Sequence, residues 1–510
     1  MKNRFVLLFF LPTVLFFAIV FWARGAILLD ADFGWHLRMG EIIQNTGIPK
    51  NDPFSYTMPS YPFVDHEWLT DIVISKLYPL IGMKGLAVIF SLIATLAALI
   101  QLPFPIKKWS FVPFVLAAGS FLVFVGVRVQ VISWLFFSIL LFILFHKKAQ
   151  KWQFLLPLFF ILWANLHGGF GIGLAVLLVV TLVHVWEQRR LLLGEIAILA
   201  LCIASTFINP YGIGLWKELW VSISDASLRW SILEWMPALF LFNFTFWMFT
   251  LISVLVVLRY RNKYSLSQLV LFCILLIAGL SSMRHLPFFL ILALPMTING
   301  FVWFEQEAKN YKNGVERLNK VYSIFAAVVT IVVIVEVALG LYSARILQER
   351  SFYPNKAVEF LSANQSCGQL FSVYVWGGYL IWKLPEKKVF IDGRMPSWRR
   401  EVSPLSESDY ALEEHKKVLA GKIPLSMVIT KYRVDTVVLP FEEKREITPL
   451  ARSMQNVLGK DVAGLLLGIK KDNYEGLIKE LKDNSMVEIY KDNVAVVYRQ
   501  KNSQNLCVET

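Results

Sequence analysis

The first two-thirds of the chain carries about eleven stretches that are apolar on every side rather than on one face. They lie near residues 5–23, 83–102, 111–127, 129–146, 153–166, 170–186, 191–208, 239–258, 266–283, 287–304 and 321–343. A helix on the surface of a soluble protein shows an apolar stripe, and a half-buried strand alternates; neither pattern dominates here. Runs of roughly 16–22 apolar residues cross about 30 Å of hydrocarbon as helices, which satisfy their own backbone polar groups. The pattern predicts a multi-pass α-helical membrane protein with about 11 transmembrane helices. The first run follows Lys2 and Arg4 and is too long for the core of a signal peptide, so it reads as a retained anchor.

Two segments depart from this pattern. A long first external loop, about 24–82, carries two amphipathic helices. One places Trp35, Met39, Ile42 and Ile43 on a face, the other Trp68, Leu69, Ile72, Val73 and Leu77. Helices of this kind lie on a membrane surface. The turn-rich stretch GIPKNDPFSYTMPSYP (47–62) connects them. The tail, 344–510, is soluble in composition. There SVYVWGGYLIW (372–382) and KKVFIDGR (387–394) read as strands with a turn, and VDTVVLP (434–440) as a buried strand. SDYALEEHKKVLAG (408–421) and NYEGLIKELKD (473–483) read as helices, and MVEIYKDNVAVVYR (486–499) as a hairpin turning at Lys491-Asp492-Asn493. The expected organisation is a transmembrane domain over 1–343, which includes the first loop, and a C-terminal extracytoplasmic α/β domain over 344–510.

Charge fixes the orientation. The net charge of +13 is gathered in short loops between apolar runs, which excludes nucleic acid as a partner and fits the positive-inside rule. With a cytoplasmic N-terminus, the inside loops carry Lys107 and Lys108, Lys147, Lys148 and Lys151, Arg189 and Arg190, Arg259, Arg261 and Lys263, and Lys309, Lys312, Arg317 and Lys320. The cysteines (Cys202, Cys273, Cys367, Cys507) have no metal or redox spacing and indicate no disulfide framework. No phosphate-binding loop, dinucleotide fingerprint, zinc-protease motif or nucleophile elbow is present, so nucleotide-driven transport and cofactor redox chemistry lack support.

Nearly all the remaining polar clusters fall on the outer side. Asp30 and Asp32 follow the first span. Asp32 stands where a helix N-cap is expected, and equally where a carboxylate takes a proton from an acceptor hydroxyl or binds a metal. His36 follows four residues later on the same helical face. His66-Glu67 opens the second loop helix, where the helix dipole favours a carboxylate. Arg128 and Arg284-His285 sit at span ends, where they either snorkel or bind an anion, with phosphate the obvious anion at a lipid surface. His167 lies in WANLHGGFG (163–171) between two spans, and Glu234 on the longest later external loop.

These features together resemble the glycosyltransferase-C superfamily of integral membrane enzymes. DADFGWHLR…GIPKNDPFSYTMP is similar to the first external loop of oligosaccharyltransferase catalytic subunits, with Asp32, His36, Leu37, Arg38, Pro49 and Asp52 on the pattern. With HGGF, NPYG, EW, RHLP and FIDGR, the set also resembles a broad group of bacterial membrane proteins of that superfamily. Two features depart from the oligosaccharyltransferase pattern. The second external turn, VGVRVQ (125–130), carries Arg128 in place of an acid, and VWGGYL (375–380) keeps only part of the acceptor-peptide motif. The branch that uses polyprenyl-phosphate sugars is the closer analogue.

The resemblance implies a glycosyltransferase on the outer face of the cytoplasmic membrane. The donor would be a polyprenyl-phosphate-linked sugar, and the acceptor a glycan, a lipid or a protein. Asp32, or else Asp30, would be the catalytic base. Arg128, Arg284 and His285 would meet the donor phosphate, and His36, His66, Glu67, His167 and Glu234 would line the substrate pocket. A divalent ion, Mg or Mn, is left open. Two rivals stand beside this reading: a transporter or flippase, for which Glu195 and Glu336 are the ionisable candidates within spans, and an inactive scaffold.

Overall fold

The computed structural model describes residues 6–241, 243–441 and 475–501. Cys507 and the first two residues of the helix expected at 473–483 lie outside them. Two compact units are present: Met1–Ala26 with Ile81–Ala344, and Ile27–Leu80 with Arg345–Thr510. The first loop, expected with the transmembrane domain, groups with the tail.

The first unit is helical. A helix forms in each of the apolar runs: Leu11–Ile27, the part of Trp68–Leu99 beyond a break at Gly82, Phe111–Phe121, Gln130–Phe145, Leu156–Leu166, Phe170–Gln188, Leu193–Ser205, Phe244–Arg259, Leu266–Ser281, Leu286–Ala308 and Gly314–Ala344. Among the described residues, five helical stretches are long and apolar enough to cross a membrane: Leu8–Ile27, Trp68–Leu99, Phe170–Gln188, Met283–Ala308 and Gly314–Leu347. The other runs form helices of 11 to 16 residues. At about 1.5 Å per residue, the shortest of these covers roughly half the hydrocarbon. The run expected to continue to 127 leaves the helix after Phe121, and the run expected from 153 begins as a 3₁₀ turn, Gln150–Leu155. Hydropathy does not register such unwinding, because the residues stay apolar while the backbone changes its hydrogen-bond partners.

Side-chain placement matches a lipid solvent. Phe289, Leu290, Ile291, Ala293 and Leu294 are fully buried on the central helix, while Leu182, Leu251, Leu255, Leu258, Ile331 and Ile334 face outward. A helix bundle that is apolar both inside and outside has no water-facing surface to offer. Local rules set the ends: Ser265 and Gln268 form a capping box before Leu266–Ser281, and Asn243 Oδ1 accepts the Phe246 N–H at 2.6 Å.

The second unit mixes helices with a sheet. The strands are β1 (Gln369–Ser372), β2 (Val434–Pro440), β3 (Met486–Lys491) and β4 (Ala495–Gln500), in the order β1-β2-β4-β3. β1 runs parallel to β2, and the β2/β4 and β4/β3 pairs are antiparallel. β2 occupies the expected range and is buried along nearly its whole length. The β3–β4 hairpin also forms as expected: Asp492 Oδ1 accepts the Val494 and Ala495 N–H groups at 2.7 and 2.8 Å, which closes the turn. Helices occupy Ala411–Leu419 and Glu475–Asp483, inside the expected ranges.

Four expectations are corrected here. The strand expected over 372–382 ends at Ser372, and Gly377–Lys383 is a helix. A short apolar run does not distinguish a strand from a buried helical turn. Here the glycines decide, because a methyl group at Gly378 would lie 2.2 Å from the Ala31 carbonyl oxygen, and one at Gly34 would lie 2.0 Å from that of Gly378. Only two bare backbones approach this closely. The helix Phe33–Thr46 is therefore not a membrane-surface helix: Trp35, Met39 and Ile43 are buried within the unit. The stretch read as a connector, 47–62, contributes buried Asp52, Phe54, Ser55, Tyr56, Thr57 and Met58. Its backbone pairs with the tail through Tyr56 N–H to Val389 O (3.1 Å) and Val389 N–H to Phe54 O (2.9 Å). Finally, Cys367 is disulfide-bonded, against the reading of no disulfide.

Candidate functional site

In the helical unit, four of the expected site residues meet. Arg128 sits in the unwound segment between Phe111–Phe121 and Gln130–Phe145. Its Nη1 donates to Glu234 Oε1 at 2.5 Å, and the Gln130 amide reaches the same oxygen at 3.5 Å. Glu234 lies in the 3₁₀ turn Leu233–Trp235, and Arg284 and His285 in the turn Met283–His285. The two turns are tied together by Met283 N–H to Met236 O (2.9 Å) and Ser282 Oγ to Glu234 O (3.3 Å). The Arg284 guanidinium lies 5.2 Å from the Trp235 ring centroid, and the His285 ring lies edge-on to that ring at 6.5 Å. Charges at the ends of apolar helices are costly unless paired or wet, so such a gathering calls for an anion.

Sequence reading did not single out a fifth member, Arg24, just past the first apolar run. Its Nε donates to Val125 O (3.1 Å), Nη2 to Val123 O (3.0 Å) and Nη1 to Gly340 O (3.4 Å). Arg128 lies close enough for the two charges to repel. His167 stands apart from this group. Its Nδ1 accepts the Gly169 N–H at 2.9 Å and pairs with Ser133 Oγ at 2.7 Å, while Trp163 Nε1 donates to the same hydroxyl at 2.8 Å. His167 thus closes the turn between two helices.

In the second unit, Asp32 is at the N-cap position of Phe33–Thr46, but its side chain makes no capping bond. Asp30 Oδ1 instead accepts the Asp32 N–H at 3.0 Å. The Asp32 carboxylate lies against the tail: a methyl group at Gly393 would fall 1.8 Å from Asp32 Oδ1, so a larger residue there would displace the carboxylate. His36, expected to share a site with Asp32, points elsewhere. Its Nδ1 faces Asp71 Oδ1 at 2.7 Å and its Nε2 faces Glu67 Oε2 at 3.4 Å. His66 Nε2 faces the other Glu67 oxygen at 3.3 Å. Asp65, Glu67 and Asp71 are all buried. Burial, followed by the charges of Asp71 and Glu67, raises the Asp65 carboxyl well above the usual carboxylate range.

Beside these acids, Arg394 binds Asp392 Oδ2 at 2.7 Å and Asp52 Oδ1 at 2.8 Å. It lies among the rings of Trp35, Phe54, Phe63 and Trp398, with centroids between 4.8 and 5.9 Å. Burial works against its charge, and the two aspartates outweigh that cost and hold the guanidinium above its ordinary value. Asp52 also forms a turn, accepting the Phe54 and Ser55 N–H groups. The expected site residues therefore divide: Asp30, Asp32, His36, His66 and Glu67 belong to this unit, and Arg128, His167, Glu234, Arg284 and His285 to the helical one.

Among the described residues, no three His, Cys, Asp or Glu side chains are placed to hold a metal ion. The carboxylates nearest one another are already engaged with Arg394, His36 and His66.

No family model matches this chain, and no curated protein matches it. Among solved structures, it is similar to the Archaeoglobus fulgidus oligosaccharyltransferase, crystallised in complex with Zn and sulfate. The two share 11% identity with a TM-score of 0.51, over 89% of this chain and 70% of that one. At that identity the likeness is one of fold alone.

Proposed function

We propose that this chain is a membrane glycosyltransferase that takes a sugar from a polyprenyl-phosphate donor and passes it to a glycan, lipid or protein acceptor on the outer face of the cytoplasmic membrane. The observation that carries the reading is the gathering of Arg128, bound to Glu234, with Arg24 near Arg128 and Arg284 on the turn tied to that of Glu234, in a unit whose outer surface is apolar. Guanidiniums fixed there stabilise the charge that develops on a phosphate leaving group. Asp32, set against Gly393, is the general base on the acceptor hydroxyl, with Asp30 orienting its backbone.

The disulfide at Cys367 supports an extracytoplasmic place for the second unit, because such bonds persist in oxidising compartments. The transporter rival loses its candidates to ordinary roles. Glu195 pairs with His184 at 2.9 Å, and Glu336 accepts the Phe244 and Thr245 N–H groups at the start of Phe244–Arg259.

The test is turnover of short-chain polyprenyl-phosphate sugars by the purified full chain, followed by mass spectrometry. Asp32→Asn should cut the rate by about 10²–10⁴-fold with folding intact. Normal turnover in that variant would remove Asp32 from the mechanism. Activity should persist in chelator, since fixed arginines supply the positive charge. Loss of activity in chelator, restored by manganese or magnesium, would assign that charge to a metal.

A further inference from the structure

Between Phe121 and Gln130 the backbone leaves the helix, and its carbonyls lose their intrahelical partners. In a unit whose surroundings are apolar, such groups must be satisfied from within. Arg24 does this for two of them, Val123 and Val125, with two edges of one planar group, and spends a third donor on Gly340 of the helix Gly314–Ala344. Arg128, three residues beyond Val125, ends up facing Glu234. Arg24 and Arg128 then lie close enough for their charges to repel.

We propose that Arg24 is a positioning residue of an isoprenyl-phosphate site. It fastens the 122–129 segment so that Arg128 stands on Glu234, whose turn is tied to that of Arg284. This inference rests on the reading of the cluster as the phosphate site. A lysine cannot replace Arg24, because a single nitrogen on a flexible stem does not span three carbonyls that a rigid fork spans. Salt-bridge count and helix propensity do not reveal this role. It follows from the way one side chain ties the first helix, the unwound segment and the last long helix together.

The experiment uses the full chain in detergent, with farnesyl phosphate and its neutral twin farnesol as probes. The quantity read is the ratio of their affinities. Wild type should prefer the phosphate, and Arg24→Lys and Arg24→Gln should each lower that preference about tenfold while leaving farnesol binding unchanged. Hydrogen exchange over 122–129 should rise in both variants, which a loss of charge alone would not cause in Arg24→Lys. If Arg24→Gln aggregates, Arg24→Lys alone carries the decision through both readouts. A wild-type preference for phosphate that Arg24→Lys keeps, with unchanged exchange, overturns the positioning role and spares the phosphate site. No preference in wild type overturns the phosphate site and this inference with it.

Discussion

The two units treat charge in opposite ways. In the helical unit, Arg24 is held by backbone carbonyls, Arg128 by Glu234, and Arg284 lies against an aromatic face. In the mixed unit, the buried guanidinium of Arg394 is held by two aspartates, the buried acids Glu67 and Asp71 face His36, and burial raises the Asp65 carboxyl. An arginine in the helical unit thus binds main chain, a carboxylate or an aromatic face. The mixed unit buries acids from three separate segments, and each must find a proton or a cation locally. The lesson is that the same residue types, scattered at similar span ends in the sequence, make an anion-seeking cluster in one solvent and a self-contained acidic core in the other.

The sharpest way to break this comparison is an all-or-none test of compartment. Val402→Cys, on an exposed loop of the mixed unit, should label with an impermeant maleimide in intact cells. Asn262→Cys, in the basic turn Arg261–Lys263, should label only after permeabilisation. Protection of position 402 would place the mixed unit inside and remove the outer-face chemistry.

Next in size is Arg394→Met. It leaves Asp52 and Asp392 buried without their cation, which typically costs about 3–5 kcal/mol. The unfolding midpoint of the full chain should fall sharply, and the double variant with Asp392→Asn should recover part of the loss. A midpoint equal to wild type would mean that Arg394 is not the tie between the first loop and the tail.

The smallest effect is a slope. Asp65 has a folded pKa above its unfolded value of about 3.9. The folded state therefore holds the proton that the unfolded state has released, and stability is greatest below that pH and declines as pH rises through the raised value. Thermal midpoints taken upward from about pH 4 should fall for wild type and fall less for Asp65→Asn. Parallel slopes would show that Asp65 is ionised in the folded chain.

Periodicity in the sequence established where helices form in the first two-thirds, because apolar runs are a local property that the hydrocarbon-length rule reads directly. It also placed β2, the β3–β4 hairpin and two of the tail helices, where pattern and turn chemistry agree. It picked out Asp32, Arg128, Glu234 and Arg284 by their incongruity with their neighbours. Three things were out of its reach. Arg24 was not singled out, because its carbonyl partners come from 99 to 316 residues away. Asp65 and Asp71 were not singled out either, because only folding buries them with His36 and Glu67. And the first loop looked amphipathic enough for a membrane surface, since an apolar face does not say what covers it. Tertiary structure gave that face to the tail, through glycine pairs that permit backbone contact and through Arg394, whose two aspartates sit in segments 340 residues apart: a choice of partner, which no local pattern encodes.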